Sequence, residues 1–169
     1  MSHSGSAYAT ADTVSYGYND HSELTSALSN VDATYSYAYA YDSIGNRITA
    51  SEVGVPWTYT TNSLNQYTSA TENNVQMNFS YDLDGSMTYR PVDATSGWTQ
   101  LWNGENRMVE TYKGTDRLTF KYDYMGRRVE KCVYSGNTLT SKTLYVYDGF
   151  KCVEELDALD NNAVVMRHA

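Results

Sequence analysis

A period of about twenty residues governs this sequence. The stretch YAYDSIGNRITA (39–50) returns in altered form as YGYNDHSELTSA (16–27), YTTNSLNQYTSA (59–70), FSYDLDGSMTY (79–89), QLWNGENRMVE (100–110), FKYDYMGRRVE (120–130) and LYVYDGFKCVE (144–154). Taking the residue before Asp or Asn as a marker places the copies at 18, 41, 61, 81, 102, 122 and 147, with threonine in place of the ring at 61. The intervals are 23, 20, 20, 21, 20 and 25 residues.

Each copy has one grammar: a run alternating aromatic with small or polar residues, then Asp or Asn, then a short turn, then a second alternating run. Alternation on both sides of a turn is the pattern of a β-hairpin. Asp42, Asp82, Asp123 and Asp148 stand where a carboxylate can accept from turn N–H groups, and Gly45, Gly85, Gly104 and Gly126 can supply positive φ. The return strands are read as alternating Arg47, Thr49 and Ser51 against Ile48 and Ala50, and likewise after Arg107 and Arg127. TENN (71–74), KGTD (113–116) and SGN (135–137) reconnect the units, and Pro56 and Pro91 fall in connectors, where a missing donor costs least. No stretch reads convincingly as a helix; 150–160 is the best candidate and reads equally well as a strand.

Seventeen tyrosines against three phenylalanines and three tryptophans mean that any core is built largely from rings with a polar end. The expected organisation is a disordered segment over 1–13, seven hairpins over 14–160, and a final strand or frayed tail over 161–169. A net charge of −8 without a basic cluster argues against nucleic acid as a partner. No apolar run is long enough to insert in a membrane, and no export signal is present, so the chain expressed alone is expected in the cytoplasm. Cys132 and Cys152 read as free thiols on strands separated by a third, beyond disulfide reach.

The markers YDSIGNRIT, YDLDGSMT, YDYMGRRVE, the aromatic-Asn form WNGENRMVE and the terminal YVYDGFKCVEELD together resemble the YD repeats of the bacterial RHS family, which animal teneurins share. The resemblance spans about 16–160 and rests on Tyr41, Asp42, Gly45, Asn46, Arg47, Tyr81, Asp82, Gly85, Trp102, Asn103, Asn106, Arg107, Tyr122, Asp123, Gly126, Arg127, Tyr147 and Asp148. It implies an all-β fold in which tandem hairpins join into one long curved antiparallel sheet, an open section of a spiral shell. It also implies a place just upstream of the RHS-associated core, secretion or surface display as part of a longer polypeptide, and a toxin domain as cargo. Open sheet edges on such a section invite self-association.

Chemistry is sparse. The three histidines, His3, His21 and His168, have no nucleophile or metal partner at suitable spacing, and no cofactor motif occurs. DLDG (82–85) has its glycine at the fourth position, where an EF-hand needs it at the sixth. Glu154, Glu155, Asp157 and Asp160 could supply a carboxylate pair for polysaccharide cleavage, against the simpler reading of a solvated strand end. Tyrosine rows offer the rival to a structural role: Tyr35, Tyr37, Tyr39, Trp57 and Trp98 could stack on a glycan. Recurrence of the rings at one phase favours cross-strand packing instead. Arg47, Arg107 and Arg127, at the turn exits, can reach Asp or Tyr groups of the neighbouring hairpin.

Overall fold

A computed structural model describes residues 2–3 and 12–168. Residues 1 and 4–11 of the segment expected to be disordered lie outside the described residues; Asp12 and Thr13 open a strand. The fold is all-β and antiparallel, in two sheets whose strands follow chain order. The first holds β1 (Ser2–His3), β2 (Asp12–Tyr18), β3 (Leu24–Ser29), β4 (Tyr37–Tyr41), β5 (Arg47–Glu52), β6 (Val55–Thr61), β7 (Tyr67–Glu72) and β8 (Val75–Asn78), with a 3-10 turn over Ala33–Tyr35. The second holds β9 (Ser80–Tyr81), β10 (Met87–Pro91), β11 (Gly97–Trp102), β12 (Met108–Lys113), β13 (Asp116–Tyr122), β14 (Arg128–Ser135), β15 (Thr138–Asp148), β16 (Lys151–Asp157) and β17 (Ala163–Arg167).

The chain thus builds two compact units, Met1–Asn78 and Phe79–Ala169, where one continuous sheet was expected. The division falls inside the incoming strand of the fourth hairpin. Phe79 leaves the ladder, so the strand's first half pairs with β7 and its second half with β10.

All seven predicted hairpins form, and each carries a β-bulge at one place. Ala40 pairs with Thr49 but Tyr41 with Arg47, leaving Ile48 as the extra residue. Its counterparts are Thr25, Thr68, Thr88, Val109, Val129 and Val153. Every one is β-branched, a side chain that suits extended backbone. The extra residue corrects the alternation read from sequence: Arg47 shares a face with Ala50 and Glu52 rather than with Thr49 and Ser51, as its ion pair with Glu52 at 3.0 Å records.

The core is built within the sheets. In the first unit, Ala27 lies between Tyr16 and Tyr37 on the flanking strands, Ala50 between Tyr39 and Trp57, and Ala70 between Tyr59 and Met77. These alanines are 8%, 5% and 4% exposed, while the rings that wall them in remain half-buried or, for Tyr16, exposed. Small residues on one strand and rings on the next give cross-strand contacts of about 0.2 to 1 kcal/mol each. Among the described residues no large side chain is fully buried.

Candidate functional site: the turns and the clasps between hairpins

The repeated asparagine or aspartate organises each turn from its first residue. Asp42 Oδ1 accepts from the N–H groups of Ile44 at 3.0 Å and Asn46 at 2.8 Å. The same pair of bonds, to the residues two and four further on, is made by Asn19, Asn62, Asp82, Asn103 and Asp123. The Asn46 side chain above all, with burial opposing it and the turn N–H groups of Asn46, Ile44 and Gly45 adding to it, holds the Asp42 carboxyl below its usual range. At Asp123 burial pushes the carboxyl up, but the Arg127 side chain and the N–H groups of Arg127 and Met125 together carry it down. The residue three beyond the Asx is left-handed throughout: Ser22, Gly45, Asn65, Gly85, Asn106 and Gly126 have φ between 55° and 89°. Gly104, expected to supply positive φ, does not; Asn106 takes that position.

Asp148 departs from the pattern. Tyr147 pairs with Cys152, one residue closer than in the other hairpins, and Asp148 pairs directly with Lys151 across Gly149 and Phe150. The shorter loop draws Asp148 itself into the ladder, and among the described residues no turn N–H bonds to its carboxylate.

A second set of bonds joins five of the hairpins to the one before, within each unit. The ring at the marker donates to the carbonyl of the residue that precedes the previous hairpin's bulge: Tyr41 Oη to Leu24 at 2.9 Å, Trp102 Nε1 to Met87 at 2.7 Å, Tyr122 Oη to Met108 at 2.8 Å, and Tyr147 Oη to Arg128 at 2.9 Å. The third hairpin, with Thr61 at its marker, reverses the roles: the Arg47 N–H donates to Tyr67 Oη at 2.8 Å. These clasps span 14 to 20 residues of chain and recur at one phase.

The arginines fall into two positions rather than one. Arg107 and Arg127, five residues past their markers, lie over the marker rings of the following hairpins, Tyr122 at 5.2 Å and Tyr147 at 4.9 Å. Arg107 Nη1 donates to the Asp123 carbonyl at 3.2 Å, Arg127 Nη1 donates to the Gly149 carbonyl, and Arg127 also pairs with Asp123 at 2.7 Å. Arg47 and Arg128, six residues past, lie over rings of their own hairpins, Tyr39 at 4.4 Å and Phe120 at 5.7 Å. Arg128 also reaches Tyr145 of the next hairpin at 4.8 Å.

The residues proposed for glycan stacking do not form one row. Tyr35 is in the 3-10 turn rather than in β4 and is 61% exposed. Tyr37 and Tyr39 are half-buried against Ala27 and Ala50. Trp57 stacks on Tyr59 at 6.1 Å and 9°, and Trp98, in the other unit, carries Lys113 over its ring at 5.6 Å. An open pocket of about 380 Å³ is lined by Tyr41, Gly45, Arg47, Tyr59 and Tyr67, but Arg47 is held by Glu52 and Tyr39, and Tyr41 and Tyr67 spend their hydroxyls in clasps. Glu154 and Glu155 point to opposite faces, toward Arg167 at 3.0 Å and His168 at 3.2 Å, so they form no carboxylate pair. Among the described residues no group of three His, Cys, Asp or Glu is placed to hold a metal ion, and Cys132 and Cys152 are free.

Tandem hairpins, bulged at one phase and clasped to their neighbours within each unit, define a β-hairpin repeat protein. No family model matches the chain. By sequence it is similar to the tRNA nuclease WapA of Bacillus subtilis (strain 168), 33% identical over 133 residues, 73% of this chain and 5% of that protein. It is also similar to the tRNA3(Ser)-specific nuclease WapA of Bacillus spizizenii, 34% identical over 118 residues, 66% of this chain and 4% of that protein. The chain therefore spans about a twentieth of the length of these relatives. In structure it shares the fold of part of TcdB2-TccC3 solved without its hypervariable C-terminal region, with a TM-score of 0.57 at 12% identity over 88% of this chain and 9% of that one. TcdB2-TccC3-Cdc42 gives 0.56 at 12% identity over 89% and 9%.

Proposed function

We propose that this chain is a non-enzymatic structural segment of an RHS-type shell, a stretch of wall in a longer secreted or surface polypeptide that encloses and delivers a toxin domain. The observation that carries the reading is the clasp. Four of the six aromatic markers, Tyr41, Trp102, Tyr122 and Tyr147, spend their polar ends on a carbonyl of the hairpin before, so the chemistry at these repeated positions is directed at the neighbouring hairpin rather than at a ligand. The sequence likeness to the WapA nucleases and the fold likeness to TcdB2-TccC3 support placement in a toxin-associated polypeptide. The nuclease activity in those relatives' names belongs to proteins about twenty times the length of the match, and this chain is read as wall rather than as catalyst.

The test has two arms. Purified chain is incubated with total tRNA and with a glycan panel, following RNA integrity and the fluorescence of Trp57, Trp98 and Trp102; neither is expected to change. In a longer polypeptide containing this stretch, Tyr122→Ala with Tyr147→Ala should expose the enclosed domain to protease while leaving that domain's own activity intact. Cleavage of tRNA that co-elutes with the chain, or protease protection unaffected by the double substitution, would overturn the reading.

A further inference from the structure

The pairing register continues past the seventh hairpin. In each of the first six, the residue just after the bulge pairs with a residue lying three positions before the next marker. Ser26 pairs with Ala38, Thr49 with Thr58, Ser69 with Asn78, Tyr89 with Thr99, Glu110 with Thr119 and Glu130 with Leu144. The markers follow at 41, 61, 81, 102, 122 and 147. The rule holds through insertions that stretch the interval from 20 to 25 residues, so it reflects ladder geometry and not sequence spacing. In the seventh hairpin the residue after the bulge is Glu154, which pairs with Arg167 on β17. The next marker belongs three residues beyond Arg167, at position 170.

Two side chains of β17 and its flank agree with that phase. Two residues before each marker stand Tyr16, Tyr39, Tyr59, Phe79, Gln100, Phe120 and Tyr145, a ring in all but one; His168 holds the same place relative to position 170. Four residues before stand Val14, Tyr37, Trp57, Met77, Trp98, Leu118 and Thr143, apolar or aromatic in all but the last, and Met166 continues that series. The His168 N–H bonds to the Val153 carbonyl at 3.0 Å, carrying the ladder beyond β17 toward the marker. By phase the acceptor for the clasp is the Cys152 carbonyl, the counterpart of those of Leu24, Met87, Met108 and Arg128, and among the described residues no side chain donates to it. β17 itself ends the nine-stranded sheet, with Val164, Val165 and Met166 44%, 64% and 50% exposed and no proline or lysine to guard it.

We infer that β17 is the incoming strand of an eighth hairpin, and that its edge with the Cys152 carbonyl takes the turn and return strand of a segment continuing the chain, opening on a tyrosine or tryptophan at position 170 followed by Asp or Asn. This rests on the register alone and holds whatever the wall encloses. The test extends the full chain after Ala169 with a copy of Tyr122 to Ser135, which restores marker, Asx turn and return strand in phase. Two controls carry the same copy, one slipped by a single inserted glycine and one with phenylalanine at its first position. The in-phase extension should raise Tm by about 3 °C or more, the phenylalanine version should lose part of that gain, and the slipped version should add nothing. Equal stabilisation by in-phase and slipped copies would overturn the inference. So would an unextended chain that light scattering finds to be a dimer and the extension renders monomeric, since the edge would then belong to a second copy.

Discussion

Tyr122→Phe isolates the clasp from everything else the ring does. Tyr122 Oη gives its proton to the Met108 carbonyl at 2.8 Å in a half-buried position, while the ring lies under Arg107. Phenylalanine keeps the ring and its cation contact and removes the donor, leaving the Met108 carbonyl short of a partner. A single neutral hydrogen bond contributes about 0.5 to 1.5 kcal/mol net, and an acceptor stranded away from water pushes toward the upper end. About 1 kcal/mol lowers Tm by about 2 to 4 °C if the chain melts as one body, and by about twice that if the second unit melts by itself. The control lies in the same sequence position of the first hairpin: Tyr18 is 61% exposed and makes no clasp among the described residues. Tyr18→Phe should stay within about 0.5 kcal/mol of the parent. Thermal melts by circular dichroism, with tryptophan fluorescence in urea as the second probe, read both variants. If Tyr122→Phe and Tyr41→Phe melt with Tyr18→Phe at the parental temperature, the clasps carry no stability and the reasoning fails.

Three further outcomes follow from single sites. Val53 sits with φ 54° beside Gly54 at 77°, a turn that needs left-handed backbone at both positions, and a β-branched residue there costs about 1 kcal/mol or more; Val53→Asn should raise the urea midpoint without changing m. Ala50 is 5% exposed between Tyr39 and Trp57, so Ala50→Leu should overpack that row and destabilise by about 1 to 3 kcal/mol in equilibrium unfolding, whereas Ala38→Leu on the opposite, exposed side should be tolerated. Glu130 lies between Lys121 at 2.8 Å and Lys142 at 3.0 Å, and the Lys121 bond, opposed by burial and reinforced by Lys142, holds its carboxyl below the usual 4.5. A depressed carboxyl contributes stability above its unfolded pKa that is lost as pH falls through the folded one; a pH series of unfolding midpoints should therefore show Glu130→Gln less stable than the parent at pH 7 and the gap closing below about pH 4.5.

What could be read in the sequence was local. An Asx followed three residues later by Gly or Asn is turn chemistry complete within five residues, so hairpin positions were legible, including the one whose marker is Thr61. The loop at Asp148 misled because its motif carries the same Tyr-Asp-Gly letters with one residue fewer between the paired strands. The bulges were hidden from an alternation argument that assumes strict period two, although their signal was present: Thr25, Ile48, Thr68, Thr88, Val109, Val129 and Val153 are β-branched at one phase. Missing them put Arg47 on the wrong face and merged it with Arg107 and Arg127, which sit one residue earlier in the turn and reach forward to the next hairpin. The break at Phe79 left no mark at all, since a ring two residues before the marker is what the repeat elsewhere provides.

The clasp also accounts for the chain's preference for tyrosine over phenylalanine. Within each ladder a ring's nearest neighbours are the strands beside it, and a half-exposed phenylalanine would gain little from them. A ring with a donor at its far end gains twice: its face covers a small residue or carries an arginine, and its tip satisfies a carbonyl at the bulge, where the ladder is locally disrupted. The six aromatic markers are Tyr18, Tyr41, Tyr81, Trp102, Tyr122 and Tyr147, all with a terminal donor. The three phenylalanines lie elsewhere, Phe79 and Phe120 two residues before a marker and Phe150 in the one loop without an Asx turn. Where the marker ring is missing, at Thr61, the chain places Tyr67 six residues on and takes the hydrogen bond in the opposite sense from the Arg47 N–H. Ring area alone gives no reason for that exchange to stay in register with the neighbouring hairpin; a polar contact at the bulge does.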